Sequence, residues 1–343
     1  MTNEVWGSKH TEFFFQLTPE AILDAVEESL KVRSTGRIMA HNSMENRVYE
    51  IEIDQDLGGE EFGHKSIIAK FYRPGRWSLQ QIQDEHDFLR DLYESEIPVN
   101  LPIPLADGQT IKTLADTHIY FSVFGKFSGR SPDELLPDQL AQVGRLLARV
   151  HRVGGTKPAA HRLELNPTTF GRANLAYLLA SPWLPQNIAG PLAQLGEELC
   201  QQMDPLFAGQ PKQRIHGDCH MGNLLLGREG FFWIDFDDMI MGPPVQDLWL
   251  MVPGRDAEAR QQMNRLLSGY REFADFSQDS LRLIEPLRTL RFIHYASWIA
   301  HRWEDPAFKN AFPYFGTDRY WQEWMADLYD QKAMLESGEV PLL

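Results

Sequence analysis

Two neighbouring stretches decide how the chain is read. The first is Ile215-His216-Gly217-Asp218-Cys219-His220-Met221-Gly222-Asn223-Leu224-Leu225-Leu226, and the second is Phe231-Phe232-Trp233-Ile234-Asp235-Phe236-Asp237-Asp238. A polar, glycine-containing loop opens into an apolar strand, Asn223 to Leu226. Gly227 to Gly230 makes a turn, and Phe231 to Ile234 returns as a second apolar strand that ends in acids. Such a hairpin is expected to gather Asp218, Asn223 and Asp235 at one end. A lone acid beside an Asn is an ordinary polar turn. The combination H-G-D-x-H-x-x-N followed by I-D-F-D-D at this separation is far more specific.

The residue types and spacing suit phosphoryl transfer. Asp218 would orient an attacking hydroxyl and accept its proton. Asn223 would offer an amide oxygen to Mg²⁺, and Asp235 would bridge the metal to nucleotide phosphates. Magnesium takes hard oxygen ligands and keeps several waters, so one Asn and one Asp suffice. His216 is placed to brace the loop. With no third ligand in the motif, His216 and His220 do not read as a metal site.

The same chemistry makes two demands on the preceding part of the chain: a Lys on a central strand for the phosphates, and a Glu on the next helix to orient it. Ile67-Ile68-Ala69-Lys70-Phe71-Tyr72 supplies an apolar strand whose lysine needs a partner. Glu85 falls on the apolar stripe of the following helix, between Ile82 and Leu89. An ion pair between Lys70 and Glu85 is expected.

Around these motifs the chain changes character. Gly36–His41, Arg47–Asp54, Ser66–Tyr72, Gln109–Leu114 and His118–Phe124 read as strands. A helix starts after Ser78, with Gln81 as its capping-box partner. The expectation is a five-stranded antiparallel sheet with one packed helix, and a glycine loop at Gly58, Gly59 and Gly63 after the second strand. Residues 125–132 read as a linker. Beyond them the pattern is helical, first through Leu140, Val143, Leu146, Leu147 and Val150, then near 189–205, 256–274, 280–303 and 317–336. The fold class is α+β and bilobal, divided as 1–125 and 126–343, with nucleotide expected between the sheet lobe and the helical lobe.

The 343 residues carry 33 basic and 48 acidic side chains, a net charge of −15. That balance disfavours nucleic acid and anionic membrane as partners. Cys200 and Cys219 are too few for a disulfide framework. No signal peptide and no run of apolar residues long enough to span a membrane is found, so a cytoplasmic protein is expected.

HGDCHMGN with IDFDD resembles the aminoglycoside-phosphotransferase branch of the protein-kinase-like superfamily. The strings NSMENRVYEI, AKFYRPGRWS, QDEHDFL, RIHGDCHMGN, GPPVQDLW, IEPLR and HRWEDPAF narrow the resemblance to the bacterial stress response kinase A family, from about residue 11 to residue 330. The resemblance implies a Mg²⁺- and ATP-dependent serine/threonine protein kinase, autophosphorylating, monomeric and active in stress survival. It implies Asp218 as proton acceptor, Asn223 and Asp235 as metal ligands, and Ser43 with Lys70 at the phosphates. Three departures from ordinary protein kinases stand out. The turn His41-Asn42-Ser43-Met44-Glu45-Asn46 replaces a glycine-rich loop, Asp235-Phe236-Asp237 replaces D-F-G, and no long activation loop follows.

Phe121, Val123 and Phe124 are expected around adenine, with the backbone of Phe124–Lys126 reading its edge. Asp247 would cap its helix or bond the catalytic-loop backbone. A carboxylate beside Cys219 argues against a reactive thiol. The aromatic-rich segment 287–324, which also carries Arg288, Arg291, His301 and Arg302, reads mainly as helix packing, with a minority expected to line the acceptor cleft. The competing function is a small-molecule kinase acting on an amino alcohol or aminoglycoside-like alcohol, for which Asp237 and Asp238 would suit a cationic acceptor. A non-enzymatic nucleotide-binding module would need a missing catalytic group, and none is missing.

Overall fold

The computed structural model describes residues 14–41, 43–55 and 65–342. The expected glycine loop at Gly58, Gly59 and Gly63, and Asn42 of the phosphate-side turn, lie outside the described residues. The chain forms two compact units. One comprises residues up to Pro132 together with Gly222–Asp237, and the other Asp133–Met221 together with Asp238–Leu343.

The first unit is built on a five-stranded antiparallel sheet of β1 (Ser34–His41), β2 (Arg47–Ile53), β3 (Ser66–Phe71), β4 (Lys112–Thr113) and β5 (Tyr120–Gly125), in the order β1-β2-β3-β5-β4. This is the sheet expected from the alternating pattern. Strand β4 is shorter than expected because the residues before it are spent elsewhere. The Gln109 carbonyl accepts from Leu105 N at 2.8 Å, and Thr110 Oγ1 bonds His86 Nδ1 at 2.7 Å. A helix that the strand and loop pattern did not announce, α1 (Pro19–Leu30), precedes the sheet. Thr18 Oγ1 caps it by accepting from Ala21 N, and Pro19 fills its first turn. Helix α2 (Leu79–Glu94) begins with the expected capping box between Ser78 and Gln81.

Strand alternation gives the sheet two different faces. Ile67, Ala69 and Phe71 of β3 and Phe121 and Val123 of β5 share a buried core with Ile22 and Val26 of α1. Lys70 points to the other face, in register with Ser122 of β5, as is Ile68 with Phe124. Phe121 and Val123 are therefore core residues on the face away from Lys70. This corrects the expectation that they surround a base: Phe121 stacks on Phe71 at 5.3 Å instead. Phe124 alone of the three shares the lysine's face, packed edge-on against His86.

The second unit is mostly helical, with α3 (Pro137–Gly154), α4 (Ala173–Ala180) and α5 (Gln186–Phe207) leading to a short strand, β6 (Gln213–Ile215). Between β6 and its antiparallel partner, the chain makes the hairpin β7 (Leu224–Gly227) and β8 (Gly230–Trp233), which packs with the first unit. Arg130 ties β7 there through two backbone bonds to Leu226. The partner strand β9 (Ile240–Gly242) then pairs with β6, and α6 (Val245–Met251), α7 (Ala257–Tyr270), α8 (Ile284–Arg302), α9 (Pro306–Ala311) and α10 (Asp318–Ser337) complete the unit. Helices α3 and α7 touch backbone to backbone. A Cβ on Gly144 would lie 2.0 Å from the Leu266 carbonyl oxygen, and one on Gly269 would lie 1.9 Å from that of Ala141. Trp303, Trp321 and Trp324 are buried, as the packing reading of the aromatic segment expects. No helix among the described residues is long and apolar enough to cross a membrane.

Candidate active site

In the first unit, Lys70 sits at the centre of a buried charge cluster. Its Nζ lies 3.1 Å from Asp235 Oδ1, 3.1 Å from Asp237 Oδ1 and 3.7 Å from Glu85 Oε1. The expected Lys70–Glu85 pair is present but is the longest of the three. Burial alone would lower the pKa of this ammonium. The charges of Asp237, Glu85 and Asp235 outweigh that and hold it well above the usual lysine range. Lys70 is thus a fixed, fully charged donor.

Asp235 and Asn223 occupy the open end of the hairpin. Strand pairing sets Leu224 against Trp233, and Ile234 N donates to the Asn223 carbonyl at 3.0 Å. The next residue, Asp235, has φ of +60°, a left-handed conformation rare outside glycine, and its side chain is half exposed. Backbone strain of this kind is retained where the surroundings impose it. Here they include Phe236, buried and set edge-on against Phe88 of α2. An exposed carboxylate and an amide oxygen at one hairpin end are hard donors of the kind Mg²⁺ accepts, and Lys70 limits the charge around them. Among the described residues there is no cluster of three or more His, Cys, Asp or Glu able to hold a metal ion.

Asp237 is not open to an acceptor. It is buried, with Oδ2 2.7 Å from Arg76 Nη1 and 3.4 Å from Trp77 Nε1. The acidic pair that favoured a cationic small molecule therefore loses one member to internal ion pairing. Arg73 and Arg76 were missed in the sequence, although two arginines flanking a Pro-Gly turn directly after the lysine strand were a usable signal. Arg73 donates to the Met44 and Glu45 carbonyls at 3.2 and 3.0 Å, and its backbone N donates to Asn46 Oδ1 at 3.1 Å. Ser43 Oγ accepts from Asn46 N at 3.3 Å, so this side chain helps close the turn. Lys126 pairs with Glu50 of β2 at 2.6 Å, and the Gly125 carbonyl accepts from Asn100 Nδ2 at 2.8 Å.

In the second unit, Asp218 follows β6 on a loop held from below by Asp247. The fully buried Asp247 carboxylate accepts from His216 N at 2.9 Å and Gly217 N at 2.8 Å. Its Oδ2 also lies 3.0 Å from His151 Nε2, and His151 Nδ1 lies 2.9 Å from the Tyr270 hydroxyl. Gln246 adds a bond from Nε2 to the Gly217 carbonyl. Gly217 has φ of +87°, and a Cβ there would lie 2.2 Å from the Asp238 carbonyl oxygen, so only glycine fits. Asp247 lies within α6 and does not cap it: of the two roles read for it, the loop bond is the one present.

Asp247→Asn is expected to turn an amide N–H toward backbone donors. A buried unsatisfied donor costs roughly 1–3 kcal/mol. The variant should therefore unfold at lower urea concentration and lose turnover although Asp218 is intact. An unchanged melting curve and normal turnover would remove the bracing role.

Asp218 itself is partly exposed. Oδ2 lies 3.2 Å from His220 Nε2, and Oδ1 accepts from Arg291 Nη1 at 3.1 Å. Burial pushes its carboxyl pKa up, but His220 and Arg291 overcome this and hold it well below the usual carboxylate range. Arg291 comes from α8, in the segment read as packing with a minority of cleft-lining residues, but no local spacing paired it with Asp218. The Cys219 thiol is buried and pushed up by burial, then by Asp247 and Asp218, which makes it an unreactive neighbour.

The first unit thus holds a buried lysine–carboxylate cluster around Lys70, and the second holds a carboxylate loop braced by Asp247. Residues 38–284 match the phosphotransferase enzyme family. Stress response kinase A of Escherichia coli K12 is 34% identical over 335 residues, covering 97% of this chain and 98% of that protein. The serine/threonine protein kinase RdoA of Salmonella typhimurium is 34% identical over 332 residues, covering 96% and 97%. Among solved structures, an amicoumacin kinase in complex with AMP-PNP, Ca²⁺ and Ami superposes with a TM-score of 0.72 at 19% identity, covering 95% of each chain. A microcompartment-associated aminopropanol kinase gives 0.66 at 20% identity, covering 94% and 98%. The chain belongs to the phosphotransferase enzyme family and, within it, to the stress response kinase A family.

Proposed function

We propose that this phosphotransferase moves the γ-phosphoryl group of ATP, with Mg²⁺, to serine or threonine hydroxyls of proteins, including its own, as a cytoplasmic monomer acting in stress response. The observation that carries the reading is Asp218, held ionised by Arg291 and His220 on a loop braced by Asp247, in a chain 34% identical across nearly its whole length to relatives named as kinases of this kind. Asp218 aligns the acceptor hydroxyl and takes its proton. Asn223 and Asp235 hold the metal. Lys70, oriented by Glu85, and Ser43 with its turn hold the phosphates. Phe124 and the backbone to Lys126 take the adenine side. Bound Mg²⁺ would neutralise charge on the transferred group.

The small-molecule reading is less well supported, because Asp237 is occupied by Arg76 and Lys70 and a guanidinium lies against Asp218. Arg291 repels a cationic acceptor, and Tyr295, one turn further along α8 and 43% exposed, offers an aromatic surface instead. The test is incubation with γ-labelled ATP, Mg²⁺ and either a mixed protein substrate or a panel of amino alcohols and aminoglycosides. Label on protein and on the enzyme itself is expected. Rapid turnover of a small alcohol with no protein labelled would overturn the protein-kinase reading.

A further inference from the structure

Asp237 stands where ordinary protein kinases have the glycine of D-F-G, and its surroundings give it a task. Its two oxygens face different cations: Oδ1 lies 3.1 Å from Lys70 Nζ, and Oδ2 lies 2.7 Å from Arg76 Nη1. Arg76 Nη1 is also 3.7 Å from Glu45 Oε2, on the turn that bears Ser43. Glu45 in turn meets Arg73 Nε at 3.2 Å. The side chains of Lys70, Arg76 and Asp237 are each less than a tenth exposed. Charged groups this deep hold one geometry, because losing a partner leaves an uncompensated charge.

We propose that Glu45, Arg76 and Asp237 form a positioning relay. It locks the phosphate-side turn to Lys70, so that serine hydroxyl, turn backbone and lysine ammonium present one preformed surface to nucleotide phosphates. A glycine-rich loop reaches phosphates through backbone flexibility. The relay does the opposite: it fixes a turn that has a side chain at every position from Ser43 to Asn46. Arg76 and Asp237 are positioning residues in this scheme. They do not touch the phosphates, and Asp237 is not a ligand of the metal. Rigidifying a site before binding raises affinity by lowering the ordering cost.

The relay rests on the proposed use of ATP, and the experiment separates the two. Equilibrium binding of ADP, without metal, is measured for the unmodified protein, Asp237→Asn, Arg76→Lys, Glu45→Gln and the Glu45→Gln/Asp237→Asn double variant, alongside a Mg²⁺ titration. Each single change is expected to weaken metal-free ADP binding about tenfold, and the double variant should be no weaker than its worse parent, since both cut one chain. The Mg²⁺ midpoint at saturating ADP should stay put. If unmodified protein binds no adenine nucleotide, the functional reading fails. If it binds and the variants match it, or if the two effects add fully, the relay alone is overturned. A shifted Mg²⁺ midpoint in Asp237→Asn, with metal-free affinity unchanged, would make Asp237 a metal ligand and also overturn it. Should Asp237→Asn fail to fold, Arg76→Lys and Glu45→Gln, with their own double variant, read the same coupling from the other end.

Discussion

Asp218→Ala is expected to lower turnover by about 10²–10⁴-fold, the range typical for loss of a positioned proton acceptor, while nucleotide still binds. The geometry also predicts how pH enters. His220 and Arg291 hold the Asp218 carboxyl below its ordinary range, against the opposing effect of burial. A depressed carboxylate stays ionised as pH falls, so the acid limb of the turnover profile should lie lower than for an isolated Asp. Removing one support reverses the sign: Arg291→Gln should move that limb upward, with less loss at pH 8 than at pH 5. A strongly ionised carboxylate is a weak base, so in the proposed reaction Asp218 would contribute mainly by aligning the hydroxyl. Asp218→Asn keeps the shape and loses the charge. Near-normal turnover in Asp218→Asn would remove the proton-acceptor assignment. A profile unmoved in Arg291→Gln would show that the guanidinium does not tune it.

The sheet and the hairpin were legible because their signals are local. Alternation along Arg47–Ile53 and Ser66–Phe71, and the turn at Gly227–Gly230, fix strand identity without knowledge of distant residues. The placement of the candidate residues, as distinct from their roles, was legible to the same extent. Lys70 and Glu85 were paired by strand and helix periodicity, and Asn223 and Asp235 by hairpin register. What escaped was set by packing across long chain separations. Arg291 reaches Asp218 from 73 residues away, and Arg76 reaches Asp237 from 161. Neither pairing has a period to betray it. Phe121 and Phe124 show the limit inside one strand, since period 2 separates their faces but cannot say which face meets the ligand and which meets α1. Likewise a cut at a single chain position cannot express a unit assembled from residues before Pro132 and the returning hairpin Gly222–Asp237.

Lys70→Met should be the most damaging single change to both function and stability. The ammonium is buried among Asp237, Glu85 and Asp235, and methionine keeps the bulk while removing the charge. Removing one partner of a buried charge cluster costs about 3–5 kcal/mol where a buried charge loses its counter-charge, and here that falls on Glu85, since Asp237 keeps Arg76 and Asp235 is half exposed. That loss should be visible as a lower urea midpoint with an unchanged slope. Its pH dependence is diagnostic. In the unmodified protein the lysine pKa is raised, so its stabilisation is fully present below the unfolded lysine pKa and is lost only at pH above that value. Between pH 5 and 8 it is constant. In Lys70→Met the buried Glu85 loses the ammonium beside it, and burial without that cation raises a carboxyl pKa above the unfolded value. Its protonation then stabilises the folded state as pH falls, so the deficit relative to the unmodified protein should narrow between pH 8 and pH 5. Nucleotide binding should not recover with it, since no ammonium returns. A deficit that is independent of pH would mean that Glu85 does not depend on the ammonium, and the loss would then belong to packing of the lysine stem. Recovery of nucleotide affinity at pH 5 together with stability would place the function of Lys70 in holding the fold, and its assignment to the phosphates would fall.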